Sequence, residues 1–271
     1  MSYLSREASN LPEALWKLMD TEVVQSARHI LTGRRFLHFF GPLGIGVDSI
    51  AVDAADDVME EESGGLLVIK GRKYMQIPVL YNDFTLLARD LENAKQTGFP
   101  VDLSKVSASA ATLALREDSL IYFGNTTLGY DGLLTVAGAN VISRKDWSVG
   151  ENAFADVAAG IEVLIEKHIY GAYALVVSPD VYMQMQRLQP GTGLLEIDRI
   201  GKLLDGKIYR SPVLGKGKAV LVCNNADNLD LVIGQDMAVA YLEQMELNHR
   251  FRTVESVLLR IKRPQAIVVF E

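Results

Sequence analysis

The sequence predicts an α+β chain with a compact body and a protruding two-stranded arm. Three observations carry that reading. Apolar residues recur at helical spacing in several segments, the first spanning 15–31. Residues 41–81 instead form an acidic, glycine-punctuated stretch with two apolar runs and little core of their own. Residues 245–271 finish in strand patterning, with Val257, Leu259 and Ile261 on one face and Arg260 and Lys262 on the other. Pro264 stops that run because it cannot donate a ladder hydrogen bond, and 266–270 is a second apolar run. The terminal segment is therefore expected to be built into a sheet rather than frayed.

Taken in order, Asn10 and Glu13 have capping-box spacing and Pro12 suits a first turn. Leu15, Leu18, Val23, Ala27, Ile30 and Leu31 then mark an amphipathic helix that Gly33 can close. The arm follows, with Gly41-Pro-Leu-Gly-Ile-Gly46, acids across 48–62, Ser63-Gly-Gly65 and the strand-like Leu66-Leu-Val-Ile69. Lys70, Arg72 and Lys73 lie on its return, before an apolar run over 74–81. Isolated hairpins are marginal in water, so this arm is expected to pack on a partner. Asp102 or Ser104 caps a helix carrying Val106, Ala110, Leu113, Leu120 and Ile121 that ends at Gly124. A further helix carries Phe154, Val157, Ala158, Ile161, Leu164 and Ile165 and closes near Gly171. Tyr173–Val177 reads as a buried strand, Pro179 begins another helix, 194–204 is helical, and short strands follow at 208–213, 218–223 and 229–234.

Composition narrows the function classes. With 271 residues, 49% of them hydrophobic, the chain holds one large domain or two modest ones around a real core. A formal net charge of −7 argues against general nucleic-acid binding, which needs a dominant basic face. The single cysteine, Cys223, sits in the apolar run Ala219-Val-Leu-Val-Cys223 and reads as a buried structural thiol in a reducing cytosol. Met-Ser-Tyr-Leu-Ser-Arg-Glu is not a secretory signal, and no apolar stretch reaches membrane-spanning length. A soluble cytoplasmic protein is expected.

Catalytic and metal patterns are weak. The histidines His29, His38, His168 and His249 form no zinc motif. Glu246-x-x-His249 has the spacing of a di-iron helix but lacks a second copy and a four-helix setting. Gly41-Pro-Leu-Gly44-Ile-Gly46 has no Gly-Lys-Ser/Thr ending, and Gly215-Lys-Gly-Lys218 suits a hairpin turn better than a phosphate. Glu117 and Asp118 are about 100° apart on a helix and are expected to be solvated or to face an interface. The absence of an active-site constellation favours a binding or structural protein over an enzyme.

Several segments in the same order resemble one family. They include Thr32-Gly-Arg-Arg-Phe36, Gly41-Pro-Leu-Gly44, Arg89-Asp-Leu-Glu92, Ile121-Tyr-Phe-Gly124, Gly129-Tyr-Asp-Gly-Leu-Leu134 and Gly171-Ala-Tyr-Ala-Leu-Val176. Ala240-Tyr-Leu242, Asn248-His-Arg-Phe-Arg252 and Leu259-Arg-Ile-Lys-Arg-Pro-Gln-Ala-Ile267 complete the set. The chain resembles the encapsulins, linocin-type shell proteins with the tailed-phage major-capsid fold. The last three segments look most like the branch whose shells hold ferritin-like, iron-oxidising cargo. The resemblance implies a division into an N-terminal helix and start of a peripheral domain (1–46), an extended loop (47–81), a peripheral domain with a spine helix (82–134), an axial domain (135–225) and peripheral return strands (226–271).

It also implies a function: self-assembly in the cytoplasm into an icosahedral nanocompartment that stores iron through an enclosed enzyme, with no catalytic role for the shell. The partners implied are further copies of the chain and the C-terminal peptide of a cargo protein, ferritin-like or a peroxidase, with neither nucleic acid nor membrane. Ile30, Arg34, Phe36, His38, Tyr241, Phe251 and Val254 match the docking region between the first helix and the peripheral strands. Arg34 and His38 are the discriminating members, and Arg34→Glu is expected to empty shells without breaking them. Gln189, Pro190, Gly191, Thr192 and Gly193 resemble a five-fold pore loop, with an ordinary inter-helix turn as the alternative. No cofactor is expected, since Arg89 stands where some shells stack flavin on an aromatic. A prophage capsid packaging DNA is the alternative on the same fold, disfavoured by the acidic balance. A secreted protease or bacteriocin lacks a signal and a catalytic constellation.

Overall fold

A computed structural model describes residues 3–52, 59–189, 191 and 193–271. In chain order the elements are α1 (Glu13–Ile30), β1 (Phe39–Phe40), β2 (Ser49–Ala51), β3 (Met59–Ser63), β4 (Leu66–Lys70), β5 (Tyr74–Gln76) and β6 (Val79–Leu86). Next come α2 (Ala88–Thr97), α3 (Ser104–Phe123), β7 (Gly124–Asn125), β8 (Tyr130–Asp131), β9 (Asn140–Ile142), α4 (Asn152–Glu166), β10 (Tyr173–Val177), α5 (Pro179–Gln184) and α6 (Glu196–Leu203). The chain closes with β11 (Ile208–Arg210), β12 (Ala219–Cys223), β13 (Leu229–Met245), β14 (Asn248–Ile261) and β15 (Ile267–Phe270).

The first sheet has the order β1-β13-β14-β6, and the second β11-β10-β12-β15-β9. The long β13–β14 hairpin turns at Glu246 and Leu247, both at positive φ, so Glu246 and His249 lie across a turn rather than on one helix face. One face of the first sheet, through Leu231, Ile233, Val257 and Leu259, joins the main core with the second sheet and α4. Further along, Phe84, Val239, Tyr241 and Phe251 pack on Leu15, Trp16, Met19 and Val23 of α1 and on Val106 and Ala110 of α3. The helix α3 begins where expected, with the Asp102 carboxylate accepting from Ser104 N at 2.9 Å, and ends at Gly124.

Three expectations need correction. The terminal segment does not return whole to the first sheet: β14 does, but β15 inserts between β12 and β9 of the second. The break is Pro264, which opens a 3-10 turn over Pro264–Ala266 and redirects the chain. The arm is shorter than 41–81. Leu43 N and Gly44 N already bond to Ile233 O and Gly234 O, and Val79–Leu86 is a full strand of the first sheet. The hairpin β3–β4 does stand out, with every residue of both strands exposed.

Glu117 and Asp118 are the third. Both are fully buried, because the turn after α1 brings partners to each side of α3.

Candidate functional site

That turn is the structural centre of the site. Asp118 accepts from Thr32 N at 2.9 Å, Thr32 Oγ1 at 2.5 Å and Gly33 N at 3.0 Å, so a carboxylate terminates the segment after α1. Thr32 Oγ1 also meets the Tyr122 hydroxyl at 2.7 Å. Gly33 allows a close approach to α3, since a Cβ there would stand 2.5 Å from Ile121 Cδ1 and that side chain would have to shift. Burial pushes the Asp118 carboxyl up, against the pull of its Thr32 and Gly33 hydrogen bonds. Burial likewise raises the Tyr122 phenol.

Arg34 then projects between three parts of the chain. Its Nε donates to Glu117 at 2.8 and 3.0 Å, Nη1 to Asp236 at 2.6 Å, and Nη2 to Glu255 at 3.0 Å. Glu117 and Glu255 are fully buried, whereas Asp236 is largely exposed. Burial opposes the Arg34 charge, but the Glu117 contact and the neighbouring carboxylates outweigh it and raise the guanidinium pKa. Burial, reinforced by the Glu117 charge, drives the Glu255 carboxyl well above the ordinary glutamate value against the opposing pull of Arg34. The geometry is that of two buried acids sharing one cation, with one of them biased toward its neutral form.

Above this network lies a groove of about 480 Å³, lined on one side by Val23, Val24, Ala27, Arg28 and Leu31 and on the other by Asp236 and Met237. Arg34, Arg35 and Phe39 complete its walls. Phe39, 54% exposed, is its largest open apolar surface, and Val24 is 44% exposed.

The opposite wall exists because β13 bulges. Its register with β14 shifts between Gln235 and Ala238. Asp236 Oδ1 takes the Met237 N–H at 2.8 Å, and the Gln235 side chain donates to Asp236 O at 3.0 Å. These bonds blunt an edge that would otherwise invite strand addition. On either side of the bulge the edge is occupied, by Leu43 and Gly44 at Ile233 and Gly234, and by Leu4 and Arg6 at Tyr241 and Val239. The groove therefore offers side-chain pockets with a polar rim, the form that suits an extended segment with apolar anchors.

The sequence-selected residues divide. Arg34 lines the groove, Ile30 packs against the small cluster of Ala27, Leu31 and Ala114, and His38 is exposed on the segment entering β1. Phe36, Phe251 and Val254 are buried and present no side-chain surface to a ligand. Phe36 meets Tyr209 in the main core, while Phe251 is enclosed by Trp16, Phe84 and Tyr241 at centroid distances of 5.6, 5.2 and 5.8 Å. Tyr241 is buried too, its hydroxyl 3.3 Å from His249 Nδ1. The expectation that Arg34→Glu spares the shell is corrected: it would set a fourth acid among Glu117, Glu255 and Asp236. Val24, Arg28, Phe39 and Met237 were not selected. Adjacent Val23-Val24 puts one valine in the core and the other outward, a signal that could have found Val24.

In the candidate pore loop, Pro190 and Thr192 lie outside the described residues. Gly191 and Gly193 have left-handed φ of 79° and 67°. The Gln189 side chain is buried and accepts from Arg199, so it anchors the loop instead of facing an opening. Arg89 is exposed on α2. Among the described residues, no group of His, Cys, Asp and Glu is placed to hold a metal, and no helix is long and apolar enough to cross a membrane.

Comparison with known proteins follows the same lines. The type 1 encapsulin shell protein of Myxococcus xanthus is 37% identical over 276 residues, covering 99% of this chain and 96% of that protein. The family described as encapsulating protein for peroxidase, linocin M18, matches residues 1–258. The chain belongs to the encapsulin family. The virus-like particle of Pyrococcus furiosus shares its fold at a TM-score of 0.77 and 20% identity, over 95% of this chain and 99% of that one. The capsid of the myovirus XM1 matches at 0.64 and 14% identity, over 88% and 90% of the two chains, so the encapsulin fold is that of phage capsids. As an encapsulin, the chain is a shell protein of a cargo-enclosing nanocompartment.

Proposed function

We propose that the chain assembles in the cytoplasm into a closed icosahedral shell whose groove between α1 and the β13 bulge docks a C-terminal peptide of its cargo. The observation that carries this reading is the groove itself, with half-exposed Val24 and Phe39 over a floor fixed by Arg34. The peptide binds through apolar side chains, because the bulge has satisfied its own backbone groups. Of the residues chosen from sequence, Ile30, Arg34 and His38 remain in the proposed site, and Val24, Phe39 and Met237 join them. Of the loop expected over 47–81, the projecting β3–β4 hairpin lies on a neighbouring copy, as its fully exposed apolar strand β4 favours. The division into peripheral (82–134, with 1–46 and most of 226–271) and axial (135–225) domains, and the loop at 189–193 as the five-fold pore, belong to the same proposal.

The cargo is a ferritin-like, iron-oxidising protein and the compartment stores iron. The likeness of 240–242, 248–252 and 259–267 to that branch of the family supports this reading. A peroxidase is the second reading, favoured by the description of the matching family. The test is to purify shells from native cells, identify the enclosed protein by mass spectrometry and measure iron. Phe39→Asp should leave shells intact and cut enclosed protein at least several-fold. Unchanged loading would remove the groove, and an iron-free haem protein inside would replace ferritin with peroxidase.

A further inference from the structure

The root of the arm is attached to the body by a contact that neither the fold nor peptide docking explains. On the face of the first sheet away from the main core, Val232 and Leu258 pack with Ile77 and with the half-buried Ile50, Val52 and Met75 of the arm root. Arg260 stands beside this patch. Its Nε and Nη2 hold Asp230 at 2.9 and 2.6 Å, its Nη1 donates to Ala51 O at 3.3 Å, and its guanidinium lies 4.6 Å from the Phe40 ring centroid. One planar group thus joins β13, β14, β1 and the last residue of β2.

Charge balance alone does not require that geometry. Asp230 has a second cation in Lys262, whose Nζ is 2.8 Å away and which reaches Ala226 O rather than the arm. The part peculiar to Arg260 is the bridge to Ala51 O and the stack on Phe40, which a guanidinium makes simultaneously and an ammonium does not. Beyond this point the arm changes character, because every residue of β3 and β4 is exposed. Ala51 thus belongs to the body-packed root, which contrasts with the exposed β3–β4 hairpin.

We propose that Arg260 is a positioning residue for assembly, fixing the angle at which the arm leaves the body and thereby the uniformity of the shell. The proposal rests on the reading that the arm lies on a neighbouring copy. A contact between non-equivalent surfaces closes only at a defined rotation between copies. The hairpin amplifies error at its root: β3 alone is about 16 Å long, so a tilt of about 15° moves its far end roughly 4 Å, close to one strand spacing.

The experiment compares shells of Arg260→Lys, Lys262→Met and a variant with residues 59–70 replaced by a Gly-Ser linker, by mass photometry and electron microscopy. Hydrogen exchange is followed at residues 49–52. Arg260→Lys keeps a cation on Asp230, so subunits should fold. The fraction of particles outside the wild-type mass peak should rise several-fold, and exchange at 49–52 should quicken. Lys262→Met, which alters the same ion pair without touching the arm, should give the wild-type peak. A single wild-type population for Arg260→Lys overturns the proposal, as does equal broadening in Lys262→Met. If the linker variant loses shells while Arg260→Lys keeps uniform ones, only the latch fails. Wild-type shells from the linker variant would overturn the arm reading and the latch together.

Discussion

Replacing Arg34 by Met tests whether the buried acids beneath the groove depend on it. The change keeps much of the side-chain volume but removes the cation that Glu117 and Glu255 share, both of them fully buried. Breaking a buried pair by deleting one partner costs about 3–5 kcal/mol. For a chain of this size, about 1 kcal/mol moves the melting temperature by roughly 2–4 °C, so a loss of order 10 °C is expected near neutral pH. The loss should also depend on pH in a particular sense. Removing the guanidinium takes away the cation that lowers the Glu255 pKa, so burial favours its neutral form further and the native state binds more protons than the unfolded chain. Each extra proton weakens folding by about 1.4 kcal/mol per pH unit above the ordinary carboxyl range. Between pH 5.5 and 7.5 the deficit should therefore grow by up to about 2.7 kcal/mol per proton. Melting of wild-type and Arg34→Met shells by fluorimetry at both pH values measures this, and Arg34→Met combined with Glu255→Gln should recover part of the loss. A variant melting within a degree or two of wild type, or a deficit equal at both pH values, would refute the shared-cation reasoning.

Other substitutions probe the same framework. In the wild type, Glu255 has a raised folded pKa, so its contribution is present below the ordinary glutamate pKa and is lost as pH rises through the folded value. Glu255→Gln should flatten that alkaline decline in a pH series of melting temperatures; an unchanged slope would assign it elsewhere. Gly33→Ala forces a Cβ to 2.5 Å from Ile121 Cδ1 and should destabilise by about 1–3 kcal/mol in chemical unfolding, with no effect if α3 simply shifts away. Phe251→Ala empties the aromatic cluster with Trp16, Phe84 and Tyr241 and should cost about 3–5 kcal/mol by the same assay. A loss under about 1 kcal/mol would mean that the cluster collapses to fill the space.

The parts legible in sequence were those governed by local rules. Asp102 and Gly124 bracket α3 because a carboxylate beside the first turn and a glycine at the end act within a few residues. Pro264 divides the last two strands for the same reason. The helix α2 was missed because it buries no residue and so shows no apolar stripe. The second half of β13 was missed because the bulge at 235–238 interrupts the alternation that marks a strand. For the site, Arg34 could be picked out but its role could not. Glu117, Asp236 and Glu255 lie 83 to 221 residues away in sequence, and nothing local distinguishes a buried acid from a solvated one. Phe36 and Phe251 were chosen because they match the family's docking region, and an aromatic there can equally belong to the core.

The insertion of β15 between β12 and β9 bears on how subunits are made. Residues 140–142 pair with nothing but β15 in their sheet, and β12 keeps one edge open until 267–270 arrive. The hairpin of β13 and β14 is local in sequence and can form early, whereas the pairing of β15 with β9 joins segments 128 residues apart and is expected to be slower. A chain broken off in synthesis before residue 267 would carry a finished first sheet and an unfinished second. Such a product could display the groove yet lack a rigid second layer. The second sheet is therefore continuous only once residues 267–270 lie between β12 and β9.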